Sequence, residues 1–255
     1  MITDPLFYAA AIPAVMIMGL AKGGFAGISI LAVPLLTLVV SPVQAASITL
    51  PILIVQDVVS VWVFRRAWDG QSLLILLPSA LFGIVLGYLL AAYVSTAAVE
   101  LAIGLTSLVF GARYLWIHWR GVTRPHGSST LAGLAWGTVS GFTSQIAHAG
   151  GVPFQLYMLP KRFERDVLIG TSSLYFAAVN WMKVPAYMAL GQFTRANLAT
   201  SVVLFPLAVA STIAGAALIR RMSGERVYVV FYVLLVIVGA KLTWDGAMDI
   251  TDQIS

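Results

Sequence analysis

Long apolar runs, separated by short polar or basic stretches, occupy nearly the whole chain. Runs of 20 residues or more can cross the ~30 Å hydrocarbon core of a bilayer as helices that rise ~1.5 Å per residue. Such runs fall at 43–64, 72–94, 99–118, 166–190, 198–219 and 226–247. Shorter or interrupted apolar runs fall at 6–20, 25–40, 129–147 and 152–160. The pattern predicts two sets of three membrane-spanning helices, each set preceded by a broken apolar segment.

Composition supports an integral membrane protein. Of the 255 residues, 60% are hydrophobic and 10% are charged, whereas soluble domains carry about 25% charged residues. We therefore expect an all-α integral membrane protein with no room for a soluble domain. The chain has no cysteine, which excludes disulfides, iron–sulfur clusters and thiol catalysis. The first residues lack a basic region, so we expect no cleaved signal peptide.

The second half of the chain repeats features of the first. A shift of 126 residues aligns Lys22 with His148, Gly24 with Gly150, Pro34 with Pro160, Ser47 with Ser173 and Asp57 with Lys183. A shift of 128 residues aligns Pro78 with Pro206, Gly87 with Gly215 and Gly111 with Gly239. Matching glycines and prolines at a nearly constant offset predict a duplication. Its parts are a first repeat at 1–120, a cytoplasmic linker at 121–128 and a second repeat at 129–255.

Basic residues predict the orientation. Four regions, at 65–66, 113–124, 161–165 and 220–226, hold 11 of the 15 lysines and arginines, so we place them in the cytoplasm. Two of these regions flank the broken segment that begins at 129, which must then leave and return on the same side as a hairpin. The prediction is two inverted repeats, each a broken-helix hairpin plus three transmembrane helices, with both termini in the periplasm. Inverted repeats with discontinuous helices are typical of secondary transporters.

The two breaks contain the candidate chemistry. Irregular backbone at membrane depth is tolerated only when it is buried in protein or lines a cavity. A helix that starts near Phe25, and another that starts after Gly151, would each present unpaired N–H groups and a positive dipole end. Together with Lys22 and His148, these helix ends predict a site for a small anion. The candidate substrate-binding residues are Lys22, Gly23, Gly24, Ser29, Ser144, Gln145, His148, Gly150, Gly151 and Asn180.

Each of these residues also has a structural interpretation. Glycines allow close helix packing, Lys22 can extend its amine to the membrane surface, and His148 can be a hydrogen-bonded core histidine. His148 and Asp57 are also candidates for proton coupling, although Asp57 can instead neutralise Arg113 or Arg66. We expect Lys183 to extend outward, where it could attract anions at the exit, and not to pair with Asp57, because their predicted depths differ by roughly 15 Å.

Several function classes remain open at this point. Motifs of soluble enzymes are absent, so we expect a protein that is not an enzyme, with no cofactor and no metal site. A cation carrier that uses Asp57, an intramembrane enzyme on lipid-linked substrates and a structural subunit of a larger complex are the alternatives. The expected partners are a small-molecule anion, the lipid bilayer and, in a homodimer, a second copy of the chain; nothing indicates nucleic acid.

The two breaks also carry a resemblance. The segments AKGGFAGISILAVP and SQIAHAGGVPFQLYMLP, with Ala45–Ser47 and Thr171–Ser173 after them, resemble the sulfite exporter TauE/SafE family over nearly the whole chain. Phe25 and Ala149 stand where the most glycine-rich members have glycine. The resemblance implies a transporter that moves sulfite or small organosulfonates such as sulfoacetate outward across the bacterial inner membrane. It also implies a substrate site between Lys22–Gly24 and His148–Gly151.

Overall fold

The described part of the chain is built from helices. The computed structural model describes residues 1–22, 28–91, 93, 95–120, 129–218 and 225–254. Its α-helices are α1 Pro5–Lys22, α2 Ala32–Thr37, α3 Pro42–Phe64, α4 Gly70–Ala91, α5 Thr96–Arg120, α6 Thr130–Ala147, α7 Gly151–Met158, α8 Arg165–Ala189, α9 Arg195–Leu218 and α10 Glu225–Ile254. A 3₁₀ turn at Ile28–Leu31 precedes α2, and another at Leu159–Lys161 follows α7. Within these ranges there is no strand, which confirms the predicted all-α class.

Five of the described helices are long and apolar enough to cross a membrane. They are α1, α3, α4, α9 and residues Thr96–Ile117 of α5, in agreement with a multi-pass membrane protein. Helices α8 and α10 have 25 and 30 residues, and α8 is the more polar of these two along its length. In α8 the polar side chains of Thr171, Asn180 and Lys183 are buried, so these three groups face the interior of the protein.

Local sequence sets several helix boundaries. The Ser41 hydroxyl accepts a hydrogen bond from the Gln44 N–H at 3.3 Å, and Pro42 occupies the first turn of α3. The Ser129 hydroxyl accepts from the Ala132 N–H at 3.2 Å and caps α6. Serine at the N-cap and proline in the first turn are the usual start of a helix.

The second predicted break is present. Helix α6 ends at Ala147, and α7 begins at Gly151 and runs for 8 residues, about 12 Å, too short to cross a bilayer. His148 lies between them with φ 51° and ψ 25°, a left-handed conformation that glycine usually takes at a helix end. The N–H groups of His148 and Ala149 donate to Ser144 and Thr143, each at 3.2 Å, and satisfy the end of α6.

The first predicted break falls largely outside the described residues. Gly23, Gly24 and the predicted helix start near Phe25 lie in the range 23–27, which is not described. Helix α1 ends at Lys22, and the described chain resumes in the 3₁₀ turn at Ile28. The linker predicted at 121–128 also lies outside the described residues.

The packing of the helices is reciprocal between the two halves. Helix α1 packs on α9 while α4 packs on α6; α3 packs on α8, and α5 packs on α10. Glycines aligned by the 128-residue shift make corresponding contacts. Gly87 of α4 lies against Gln145 and Phe142 of α6, and Gly215 of α9 lies against Leu20 of α1. This exchange of partners is what a two-fold relation between the halves would produce; the inverted orientation stays a prediction.

Candidate functional site

The two broken segments face one cavity. It has a volume of ≈ 330 Å³, and six of the predicted site residues line it. Lys22 and Ser29 come from the first segment, Ser144, His148 and Gly151 from the second, and Asn180 from α8. Much of the remaining wall is apolar, with Met18, Leu53, Phe154 and Phe176 among its side chains. The fold therefore brings together, at one cavity, predicted site residues that lie more than a hundred positions apart in the sequence.

Two predicted residues of the second break have structural contacts instead of a place on the cavity wall. The Gly150 carbonyl accepts a hydrogen bond from the Ser140 hydroxyl at 2.7 Å, which holds the break against α6. The Gln145 side chain packs on Gly87 of α4, and the Gln145 carbonyl accepts from the Tyr187 hydroxyl at 3.1 Å. For Gly150, the close-packing interpretation of the glycine is confirmed.

Asp57 lies beside the cavity and contacts two of its lining residues. Its carboxylate forms an ion pair with Lys22, and its Oδ2 accepts a hydrogen bond from Asn180 Nδ2 at 2.6 Å. The expectation that Asp57 neutralises Arg113 or Arg66 is wrong, because both arginines are exposed whereas Asp57 is buried. The alternative in which Lys22 extends its amine to the membrane surface is also wrong, because that amine is bound to the buried carboxylate of Asp57.

A second set of hydrogen bonds fixes the end of α1 to the centre of the bundle. The Ser60 hydroxyl donates to the Lys22 carbonyl at 3.1 Å and lies 2.6 Å from the Ser173 hydroxyl. These three residues belong to α1, α3 and α8, so the end of α1 is held against two long helices that pack on each other. Holding Lys22 in this way fixes its position at the cavity wall.

Lys183 is the residue that the sequence argument placed wrongly. It was expected to extend outward, but it is fully buried, at 0% exposure. Its Nζ donates to the carbonyl and the hydroxyl of Ser144, at 3.2 and 3.1 Å, and lies 2.6 Å from His148 Nδ1. A signal for this contact was present in the sequence, because the shift that aligns Lys22 with His148 also aligns Asp57 with Lys183.

The hydrogen bonds of His148 define its tautomer. Its Nε2 lies 3.0 Å from the Ala46 carbonyl, which can only accept, so Nε2 carries a hydrogen. In the neutral ring Nδ1 is then the acceptor for Lys183. Both ring nitrogens of His148 therefore have hydrogen-bond partners within the protein.

The hydroxyls of Ser144 and Ser29 and the start of α7 offer hydrogen-bond donors at the cavity. The Ser144 hydroxyl accepts from Lys183, which leaves its own hydrogen for another acceptor. The Ser29 hydroxyl lies 3.8 Å from the point where a side chain on Gly151 would begin, so it faces the start of α7. The first N–H of α7 with a helical hydrogen-bond partner is that of Phe154, which donates to the Gly150 carbonyl. The amides before it at the N-terminus of α7 therefore point outward from the helix end.

The sequence matches a known family of membrane proteins over most of its length. A sequence model described as sulfite exporter TauE/SafE matches residues 11–242, a range that includes both breaks and every residue of the cavity wall. The chain belongs to the sulfite exporter TauE/SafE family. No match was found among curated proteins or among solved structures. As a member of this family, the chain is a membrane transporter of sulfite or related sulfur-containing anions.

Proposed function

We propose that this TauE/SafE protein exports a small organosulfonate, of the size of sulfoacetate, across the bacterial inner membrane by alternating access. The observation that carries the proposal is the meeting of both broken segments at one cavity. Two hydroxyls and the N-terminus of α7 converge there, and such helix ends favour anions. The cavity therefore offers hydrogen-bond donors to a negatively charged group.

The size and walls of the cavity favour an organic anion over sulfite. A volume of ≈ 330 Å³ lies near the lower end of the ~300–1,000 Å³ typical of small-molecule sites. Sulfite has no apolar part, so it would leave the apolar surfaces of Leu53, Phe154 and Phe176 without a partner. A sulfonate with a short carbon chain can place its charged group at the Ser144 end and its carbons against this wall.

Alternating access is proposed from the relation between the halves. The reciprocal packing of α1 on α9 and of α4 on α6 supports two repeats, at 1–120 and 129–255, that are inverted in the membrane. A site between inverted halves can open to either face by rocking of one half against the other. In this arrangement the basic regions are cytoplasmic, and both termini are periplasmic.

Export needs no coupled ion in principle. A membrane potential that is negative inside favours the exit of an anion by about 2.3 kcal/mol per charge per 100 mV. The test is uptake of labelled sulfite and sulfoacetate into proteoliposomes. A potential that is positive inside is imposed without a pH gradient, and protein-free vesicles are the control. We expect potential-driven flux that is slower in S144A. Absence of flux would contradict the uniport mechanism and favour coupling through His148 or Asp57.

The alternatives make different predictions in the same system. For a cation carrier, Asp57→Asn would abolish transport whereas Lys22→Ala would not. Both oxygens of Asp57 already contact Lys22 and Asn180, an arrangement that does not favour a bound cation. An intramembrane enzyme would turn over its lipid-linked substrate in detergent, where a transporter has no gradient to dissipate.

A further inference from the structure

Two polar pairs occupy corresponding places in the two halves. Lys22 contacts Asp57, and His148 contacts Lys183; in each pair the partners are 35 residues apart. Each pair joins a residue at the broken segment to the long helix that follows it, α3 in the first half and α8 in the second. Each also combines one long lysine with one shorter side chain. The pairs are therefore two versions of one contact.

The two versions differ in charge. Lys22 and Asp57 neutralise each other, whereas Lys183 faces a neutral imidazole and the two oxygens of Ser144. Three acceptors around Nζ match the three hydrogens of an ammonium group. Two ion pairs within 4.0 Å in the described part of the chain are Lys22–Asp57 and Lys241–Asp245, and neither includes Lys183. The second pair thus contains no carboxylate to match the charge of its lysine, and its Nζ lies beside the cavity.

We propose that Lys183 is the residue that makes the cavity selective for anions, acting through Ser144 and His148. This inference rests on the proposed function. It attributes the preference of the cavity for anions to a residue that is not itself on the cavity wall. Lys183 donates to the Ser144 hydroxyl, and a hydroxyl polarised in this way becomes a stronger donor to a bound anion. The anion then supplies the countercharge that a buried cation requires. Lys22 contributes little net charge, because Asp57 is bound to it.

The test compares two variants that differ at one position. H148K/K183D turns the second pair into a copy of the neutral first pair, whereas H148K/K183H exchanges the partners and keeps one positive charge. Both contain the same lysine at position 148, so they share any effect of that change on the cavity wall. Purified protein is titrated with sulfite and with sulfoacetate, and the shift in melting temperature gives an apparent affinity.

We expect H148K/K183H to keep an anion-induced shift, and H148K/K183D to weaken the apparent affinity by about tenfold or more, since a charge-assisted hydrogen bond is roughly twice as strong as a neutral one. K183Q repeats the test without changing position 148 and keeps a donor for Ser144; it too should lose about tenfold. K22Q/D57N, which removes the neutral pair, should lose less than K183Q. The exposed pair variant K241Q/D245N is the control and should match the parent.

The outcomes separate this inference from the proposed function. If the parent shows no shift with either anion, the proposed function fails. If the parent shifts but K183Q binds as the parent does, or the two double variants behave alike, Lys183 does not set the selectivity. A loss in K22Q/D57N as large as that in K183Q would likewise overturn the assignment, because it would give Lys22 an equal share.

Discussion

Gly150 and Gly151 are neighbours in the second break but face different surroundings. A Cβ on Gly150 would lie 2.6 Å from the Ser140 carbonyl oxygen and 2.9 Å from Ser144 Cβ, whereas one on Gly151 would have only Ser29 Oγ nearby, at 3.8 Å. Overpacking that displaces backbone costs about 1–3 kcal/mol. We therefore expect Gly150→Ala to lower the melting temperature of the purified protein, and Gly151→Ala to leave it nearly unchanged.

The same two variants should separate stability from binding. The added methyl of Gly151→Ala lies between the Ser29 hydroxyl and the start of α7, so it should weaken the sulfoacetate-induced shift in melting temperature. Gly150→Ala, where it remains folded, should bind with nearly the affinity of the parent. A reversed order, with Gly151→Ala the less stable variant, would show that α7 begins elsewhere.

Asp57 and Lys22 form a buried pair, so the effects of substituting them on protein stability should be coupled. Removing one member leaves an unmatched charge, which costs about 3–5 kcal/mol when the pair is buried; the Lys22 side chain keeps 12% exposure at the cavity, so we expect the lower end of this range. Asp57→Asn alone should therefore destabilise the protein more than K22Q/D57N does. Melting temperatures of the two single variants and the double variant form the cycle that measures this coupling. Additive effects would contradict the ion pair.

The sequence led to the correct cavity position for several residues but to the wrong position for Lys183. Lys22, Ser29, His148 and Gly151 could be assigned to one site because a break in an apolar segment has few explanations in lipid. Lys183 was misplaced because depth along α8 was estimated from helical rise alone, which does not say which face a side chain occupies. A lysine is long enough to reach the break from a neighbouring turn, and only the packing of α8 shows that it does so.

At the scale of elements, helix type was predictable and helix partners were not. Apolar runs longer than a bilayer core, bounded by Ser-Pro and glycine signals, predict helices directly. The shortness of α7 was also predicted, because its apolar run ends at Pro160. The contacts of α4 with α6, and of α1 with α9, depend on surface shape along each helix, which hydrophobic periodicity does not contain when nearly every face is apolar.

The α4–α6 contact gives a prediction about helix packing. A Cβ on Gly141 would lie 2.0 Å from the Ala80 carbonyl oxygen, which is backbone, whereas one on Gly137 would meet the Ser79 hydroxyl at 2.0 Å, which is a side chain. We expect Gly141→Ala to separate the two helices and to lower the melting temperature more than Gly137→Ala does.

A second substitution provides the control for this prediction. Ser79→Ala removes the hydroxyl that obstructs Gly137→Ala and leaves Ser79 Cβ at 3.1 Å. The Ser79 hydroxyl donates only to carbonyls of its own helix, so its loss should cost little. Ser79→Ala should therefore restore much of the stability of Gly137→Ala and none of that of Gly141→Ala. Rescue of both glycine variants would mean that the helices do not cross at Ala80.

In the whole molecule, the alignment of the two halves of the sequence predicts contacts that no single residue predicts. Aligned glycines, Gly87 with Gly215 and Gly111 with Gly239, pack on helices that are themselves aligned. The aligned positions 22 and 148 contact the aligned positions 57 and 183. The predicted duplication would produce such corresponding contacts, which here differ in the chemistry of one pair. This arrangement supports the proposed mechanism, in which the two halves rock against each other at the cavity.

That mechanism predicts access to the cavity from both faces of the membrane. Because the chain has no cysteine, Ser29→Cys and Ser172→Cys each place one thiol on the cavity wall, and Ser201→Cys, buried where α9 meets α3, is a matched control. A membrane-impermeant thiol reagent should modify the two cavity positions both in right-side-out and in inside-out vesicles, more slowly when sulfoacetate is present, and should leave Ser201→Cys unmodified. Modification from one face alone, with sulfoacetate flux intact, would contradict rocking of the halves, because a site that alternates must be open to each side for part of its cycle.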